Sequence, residues 1–235
     1  MPQITANNLQ IEYEAFGAES APAILLIMGL GAQLARWNIE LCEALVDRGY
    51  RVIRFDNRDC GLSSKLDQAG VPDVGRALRT GTPLVAPYTL EDMAADCIGL
   101  LDALQVERAH VVGVSMGGMI GQCMAVRQPA RLLSLTSIMS ASGNWRVACG
   151  RPSVLRQLLR RPARPDDPTS QVDHLMRLFG VIGSPGFPTD QADLRRQLEP
   201  CREGDVLRLR YRGRIAADFT ALVERVARVA DGLGI

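Results

Sequence analysis

The stretch from Ala23 to Met28 reads A-I-L-L-I-M, six apolar residues in succession. It constrains the fold more than any other part of the chain. A run this short is a strand rather than a helix, and a strand without a polar position has no face to offer water. It must be covered on both sides, as strands are inside a parallel sheet layered by helices. Further strands are expected at 51–55, 109–114 and Leu132 to Met139, each separated from the one before by helical spacing. Residues 37–48 place Trp37, Leu41, Ala44 and Leu45 on one helical face, and Gly49 stops them. Thr89 with Asp92 three residues on opens a helix reaching about Leu104. Another runs over 116–128, where Pro129 forbids continuation. Ahead of them, 3–6 and 9–16 around Asn7-Asn8 form a hairpin. Residues 61–87 read as a Gly- and Pro-bearing loop. The expected class is α/β, with a mostly parallel sheet covered by helices.

The pattern changes near residue 145. Short helical stretches at 155–160, 172–180 and 190–198 stand between Pro-rich breaks, and no buried strand follows. Residues 1–144 carry 11 basic and 15 acidic groups, and residues 145–235 carry 16 and 11. The expected organisation is therefore a core over 1–144 and a helical segment with a tail over 145–235. A net charge of +1 over 235 residues removes the broad basic footprint of a nucleic-acid binder. No apolar stretch approaches the ~20 residues of a membrane span, and no basic-then-apolar leader opens the chain. A cytoplasmic location is expected. Six cysteines without a C-x-x-C pair or a neighbouring histidine argue against zinc and against a disulfide framework.

Chemistry concentrates at Gly113-Val114-Ser115-Met116-Gly117-Gly118, between an expected buried strand and an expected helix. A G-x-S-x-G in that context is a nucleophile elbow. The turn is so tight that the residues flanking serine must be small, and it lifts the Ser115 hydroxyl above the sheet. The helix N-terminus behind the serine favours developing negative charge.

With these residues in place, the chain resembles the α/β-hydrolase superfamily, and within it the aclacinomycin methylesterase-like carboxylesterases. Met28-Gly29-Leu30-Gly31 matches the oxyanion loop after the first parallel strand, with Met28 where the family usually has His. Asp56-Asn57-Arg58-Asp59-Cys60-Gly61-Leu62-Ser63 matches D-x-R-G-x-G-x-S, with Asp59 where Gly is more usual. Such loops position the elbow rather than react. Residues 172–198, with G-S-P-G-F-P inside them, resemble the subgroup's helical cap. The resemblance implies an α/β-hydrolase fold and carboxylic ester hydrolysis through an acyl-serine, with no cofactor and no metal. It implies Ser115 as nucleophile and the backbone N–H groups of Met116 and Leu30 as the oxyanion hole. A small-molecule ester is the implied substrate.

The family's chain order continues to an acid and then a histidine. Neither is found, and the last strands of the fold are not evident. Only two histidines exist. His110 lies five residues before Ser115 on the same strand, about 16 Å away at the wrong end. His174 falls on a cap helix, where a solvated position is expected. The chain is therefore expected to be truncated at its C-terminus and inactive alone. The alternative is a non-catalytic remnant of the fold that binds a small apolar ligand. A haloperoxidase-like or C–C bond hydrolase would need the same missing histidine. Without flanking strands, Leu132 to Met139 would be an uncharged edge that invites self-association. An apolar stripe at Phe219, Leu222, Val223, Val226 and Val229 could shield it as a helix.

Overall fold

The computed structural model describes residues 2–69, 86–142, 153–154, 157, 160, 162–164, 167–183, 186 and 190–198. They fall into two compact units, one within Met1–Ala148 and the other within Cys149–Gly213. The expected helix at 155–160 lies largely outside the described residues, as do most of 61–87 and of G-S-P-G-F-P. The stripe from Phe219 to Val229 lies wholly outside them.

The first unit is built on a six-stranded sheet. Its strands are β1 (Gln3–Ala6), β2 (Leu9–Phe16), β3 (Ala23–Ile27), β4 (Arg51–Phe55), β5 (Ala109–Val114) and β6 (Leu132–Ile138), in the order β1-β2-β4-β3-β5-β6. β4, β3, β5 and β6 run parallel, and β1 and β2 join antiparallel. Asn7 and Asn8 close the hairpin with φ of 49° and 63°, a left-handed conformation that asparagine tolerates. All five residues of β3 are buried, as the apolar run demands. Its side chains alternate between two cores. Ala23, Leu25 and Ile27 face one containing Met93, Leu100 and Ile120, while Ile24 and Leu26 face another containing Trp37 and Cys42. Each leucine and isoleucine among them contributes roughly 1.5–3 kcal/mol by leaving water.

Helices supply the covering layers. They are α1 (Ile39–Val46), α2 (Leu90–Ala103) and α3 (Met116–Arg127) in the first unit, and α4 (Pro168–Ile182) and α5 (Gln191–Leu198) in the second. The capping box at α2 forms as expected: Asp92 N–H donates to Thr89 Oγ1 (3.2 Å) and Thr89 N–H to Asp92 Oδ2 (2.7 Å). α1 begins two residues later than its apolar spacing suggests. Trp37 and Asn38 stay extended, with ψ of 99° and 152°, although Trp37 is buried in the core. α4 is longer than expected at both ends; at its start Asp167 caps it, accepting from Thr169 N–H (3.0 Å), and Pro168 supplies a first turn that needs no donor.

His174 on α4 corrects an expectation. It is 3% exposed rather than solvated, and the same helix buries Ser170 and Val172. Burial, with Arg177 and Arg160 nearby, holds its imidazole below the ordinary value. β6 stands last in the order of the described strands, with Leu133 and Ile138 exposed. No helix among the described residues is long and apolar enough to cross a membrane.

Candidate active site

Ser115 occupies the junction of β5 and α3 with φ 55° and ψ −119°, a conformation that costs a non-glycine residue about 1–3 kcal/mol. Its N–H donates to Ile138 O at the end of β6 (2.8 Å), and its side chain is exposed. The flanking glycines are required by contact. A Cβ on Gly113 would lie 2.2 Å from Gly117 O, and one on Gly117 would lie 2.1 Å from Ile27 O. Both obstacles are backbone, so neither can swing away. Gly117→Ala is expected to cost about 1–3 kcal/mol in a urea titration, by overpacking. Gly180→Ala, in an exposed stretch of α4 with nothing within 4 Å of the new Cβ, is expected to be no worse than neutral.

α3 packs close to the end of β3, and each of these two stretches of chain carries one candidate donor. Met116 is the first residue of α3 and is buried, and its N–H is among those a helix start leaves without an intrahelical acceptor. Leu30 sits in a turn closed by Ala32 N–H donating to Gly29 O (3.3 Å), with Gly31 at φ 66°. That geometry leaves the Leu30 N–H outside the turn's own hydrogen bond. Gly29 lies directly against the serine, since a Cβ there would stand 3.2 Å from Ser115 Cβ and 3.7 Å from its Oγ.

The segment from Asp56 to Lys65 underpins this loop. Asp56 Oδ1 accepts from Leu34 N–H (2.7 Å) and Oδ2 from Leu62 N–H (2.9 Å). Burial raises its carboxyl above the usual range, and those two amides offset part of the rise. Gly61, at φ 47°, is obligatory because a Cβ would fall 1.7 Å from Asp56 Oδ2. Asn57 Nδ2 donates to Met28 O (3.0 Å). Burial and the neighbouring Asp56 push the Cys60 thiol up to about 12, so its S–H is retained and donates to Ala32 O (3.2 Å). Asp59 adopts φ 62°, which explains why glycine is usual there and why aspartate is tolerated. Lys65 Nζ donates to the carbonyls of Cys60, Gly61 and Ser63 at 2.6–2.8 Å. The bonds of Asp56, Asn57 and Cys60 reach Leu34, Met28 and Ala32, so the segment holds the stretch that passes Ser115, whereas direct support of the elbow was expected.

Neither histidine joins Ser115 in the first unit. His110 Nδ1 is 2.8 Å from Ser134 Oγ and its ring meets Tyr50 edge-on at 5.8 Å, toward the opposite end of β5. His174 belongs to the second unit. Among the described residues no group of three His, Cys, Asp or Glu side chains could hold a metal ion. Asn57 and Gly29 carry site geometry that the motif alone did not single out.

Residues 22–168 match the family described as alpha/beta hydrolase fold. The chain is 30% identical over 213 residues to rhodomycin D methylesterase DnrP of Streptomyces peucetius, covering 83% of this chain and 66% of that protein. It is 34% identical over 128 residues to 3-oxoadipate enol-lactonase 2 of Acinetobacter baylyi, covering 54% and 40%. The chain thus spans just under two thirds of the methylesterase's length. Among solved structures, 2-hydroxy-6-oxo-6-phenylhexa-2,4-dienoate hydrolase from Rhodococcus sp. strain RHA1 superposes with a TM-score of 0.67 at 19% identity, covering 95% of this chain and 73% of that one.

Proposed function

Because the chain belongs to the α/β-hydrolase fold family, we propose that it is built for carboxylic ester hydrolysis with Ser115 as nucleophile. The observation that carries this reading is the left-handed backbone of Ser115 between a parallel strand and a helix, paid for by two glycines that admit no Cβ. The methylesterase and the enol-lactonase among its relatives act, by their names, on open and cyclic esters. In the proposed reaction Ser115 Oγ attacks the ester carbonyl carbon, and its proton ends on the departing alkoxy oxygen. The carbonyl oxygen becomes negative and receives the N–H groups of Met116 and Leu30, donors worth about 2.7–4 kcal/mol each at the transition state. The alkoxy group leaves as the alcohol, and water then releases the acid from the acyl-serine.

The test is covalent. A fluorophosphonate is expected to label Ser115 slowly, because the elbow and the donors act without a base. Ser115→Ala should abolish the label, and peptide mapping by mass spectrometry reads the site. Labelling at Ser63 or Ser64, or none, would refute the assignment and favour the ligand-binding alternative.

A further inference from the structure

We infer that Asn57 is a positioning residue for the oxyanion loop, an inference that rests on the proposed role of Ser115 and the Leu30 N–H. Asn57 is 4% exposed and donates through Nδ2 to Met28 O at 3.0 Å. Met28 is the first residue beyond β3, and the chain then passes through Gly29 into the turn that presents Leu30. Downstream of Leu30 the loop has two supports from the same segment, Cys60 Sγ to Ala32 O and Asp56 Oδ1 to Leu34 N–H. Upstream, Asn57 supplies the side-chain bond that sets the tilt of the Met28–Gly29 peptide. Gly29 is the most compliant residue in the path and lies against Ser115, so a rotation there changes where the Leu30 N–H points relative to Ser115 Oγ. Donor placement within an ångström decides such a site, and a 1 Å error costs about 100-fold.

A residue needed only for folding would lower the fraction of protein that labels. A positioning residue lowers the rate constant of the folded fraction. The experiment is fluorophosphonate labelling of the full chain, resolved into the saturating rate constant, the half-saturating concentration and the final labelled fraction. Asn57→Ala is expected to slow the saturating rate about 10- to 100-fold, with half-saturation and final fraction nearly unchanged. Asn57→Asp keeps the shape but cannot donate when ionised, and its protonated form can. Its deficit relative to the wild type should therefore shrink as pH falls into the carboxylate range, from about 7 to about 4. An unchanged rate in Asn57→Ala, or a pH-independent deficit in Asn57→Asp, overturns the inference while leaving Ser115 as the nucleophile. A wild type that does not label at Ser115 overturns both.

Discussion

p-Nitrophenyl acetate turnover by the 235-residue chain is expected to lie barely above buffer, even under conditions where a phosphonate labels Ser115. A stoichiometric label requires one slow attack, whereas turnover requires a base twice, to take the serine proton and to activate water. Loss of the histidine from a serine triad costs on the order of 10⁶ in kcat. The sequence has two histidines. His110 is about five residues of strand from Ser115, some 16 Å, with its Nδ1 against Ser134 Oγ. His174 is 3% exposed, so its imidazole is enclosed while Ser115 faces solvent. Neither His110→Ala nor His174→Ala should change the residual rate. A robust turnover that His174→Ala destroys would show that α4 supplies the base.

Arg58→Ala is expected to cost about 3–5 kcal/mol, read as a large fall in the urea midpoint. Arg58 Nε and Nη2 donate to both carboxylate oxygens of Asp96 on α2, each at 2.6 Å, and the two side chains are 9% and 3% exposed. Truncating the arginine leaves a buried carboxylate with Asn7 Nδ2 as its remaining side-chain donor, at 2.7 Å. The guanidinium also covers the Tyr88 ring at 5.1 Å and donates to Asp92 O. Asp96→Ala should be about as costly by stranding the cation. The double replacement Arg58→Met with Asp96→Leu should be milder than either single change, because the penalty arises from a stranded charge. Single replacements costing under about 1 kcal/mol would mean that water reaches the pair.

The α/β layering was legible because periodicity records burial directly. The five-residue β3 and the Thr89 box left marks within a few residues of themselves. The ends of α1 and α4 were harder, for two different reasons. Trp37 is apolar and buried, so it satisfies helical spacing while its backbone is extended. At α4 the Asp167-Pro168 pair marks the start, but apolar spacing begins only at Val172, so periodicity places the boundary too late. In the candidate site, the elbow glycines were legible because their neighbours are close in sequence. Asn57 and Met28 are 29 residues apart, and no local pattern marks a side chain that serves a distant carbonyl. The buried state of His174 was hidden similarly, since a histidine on an amphipathic helix fits either face.

Lys65 gives the chain an unusual chemical handle. It is the only lysine in the sequence, and its ammonium is held by three carbonyls of the segment that supports the Met28–Leu34 stretch. Burial lowers its pKa from the ordinary lysine value, but acylating it requires withdrawing it from all three carbonyls. An amine-directed reagent that modifies a lysine of this sequence can modify only Lys65, and only once those three contacts are given up. Random lysine coupling, ordinarily a source of mixed products, becomes here a single-site reaction whose rate reads how firmly those three carbonyls hold one ammonium.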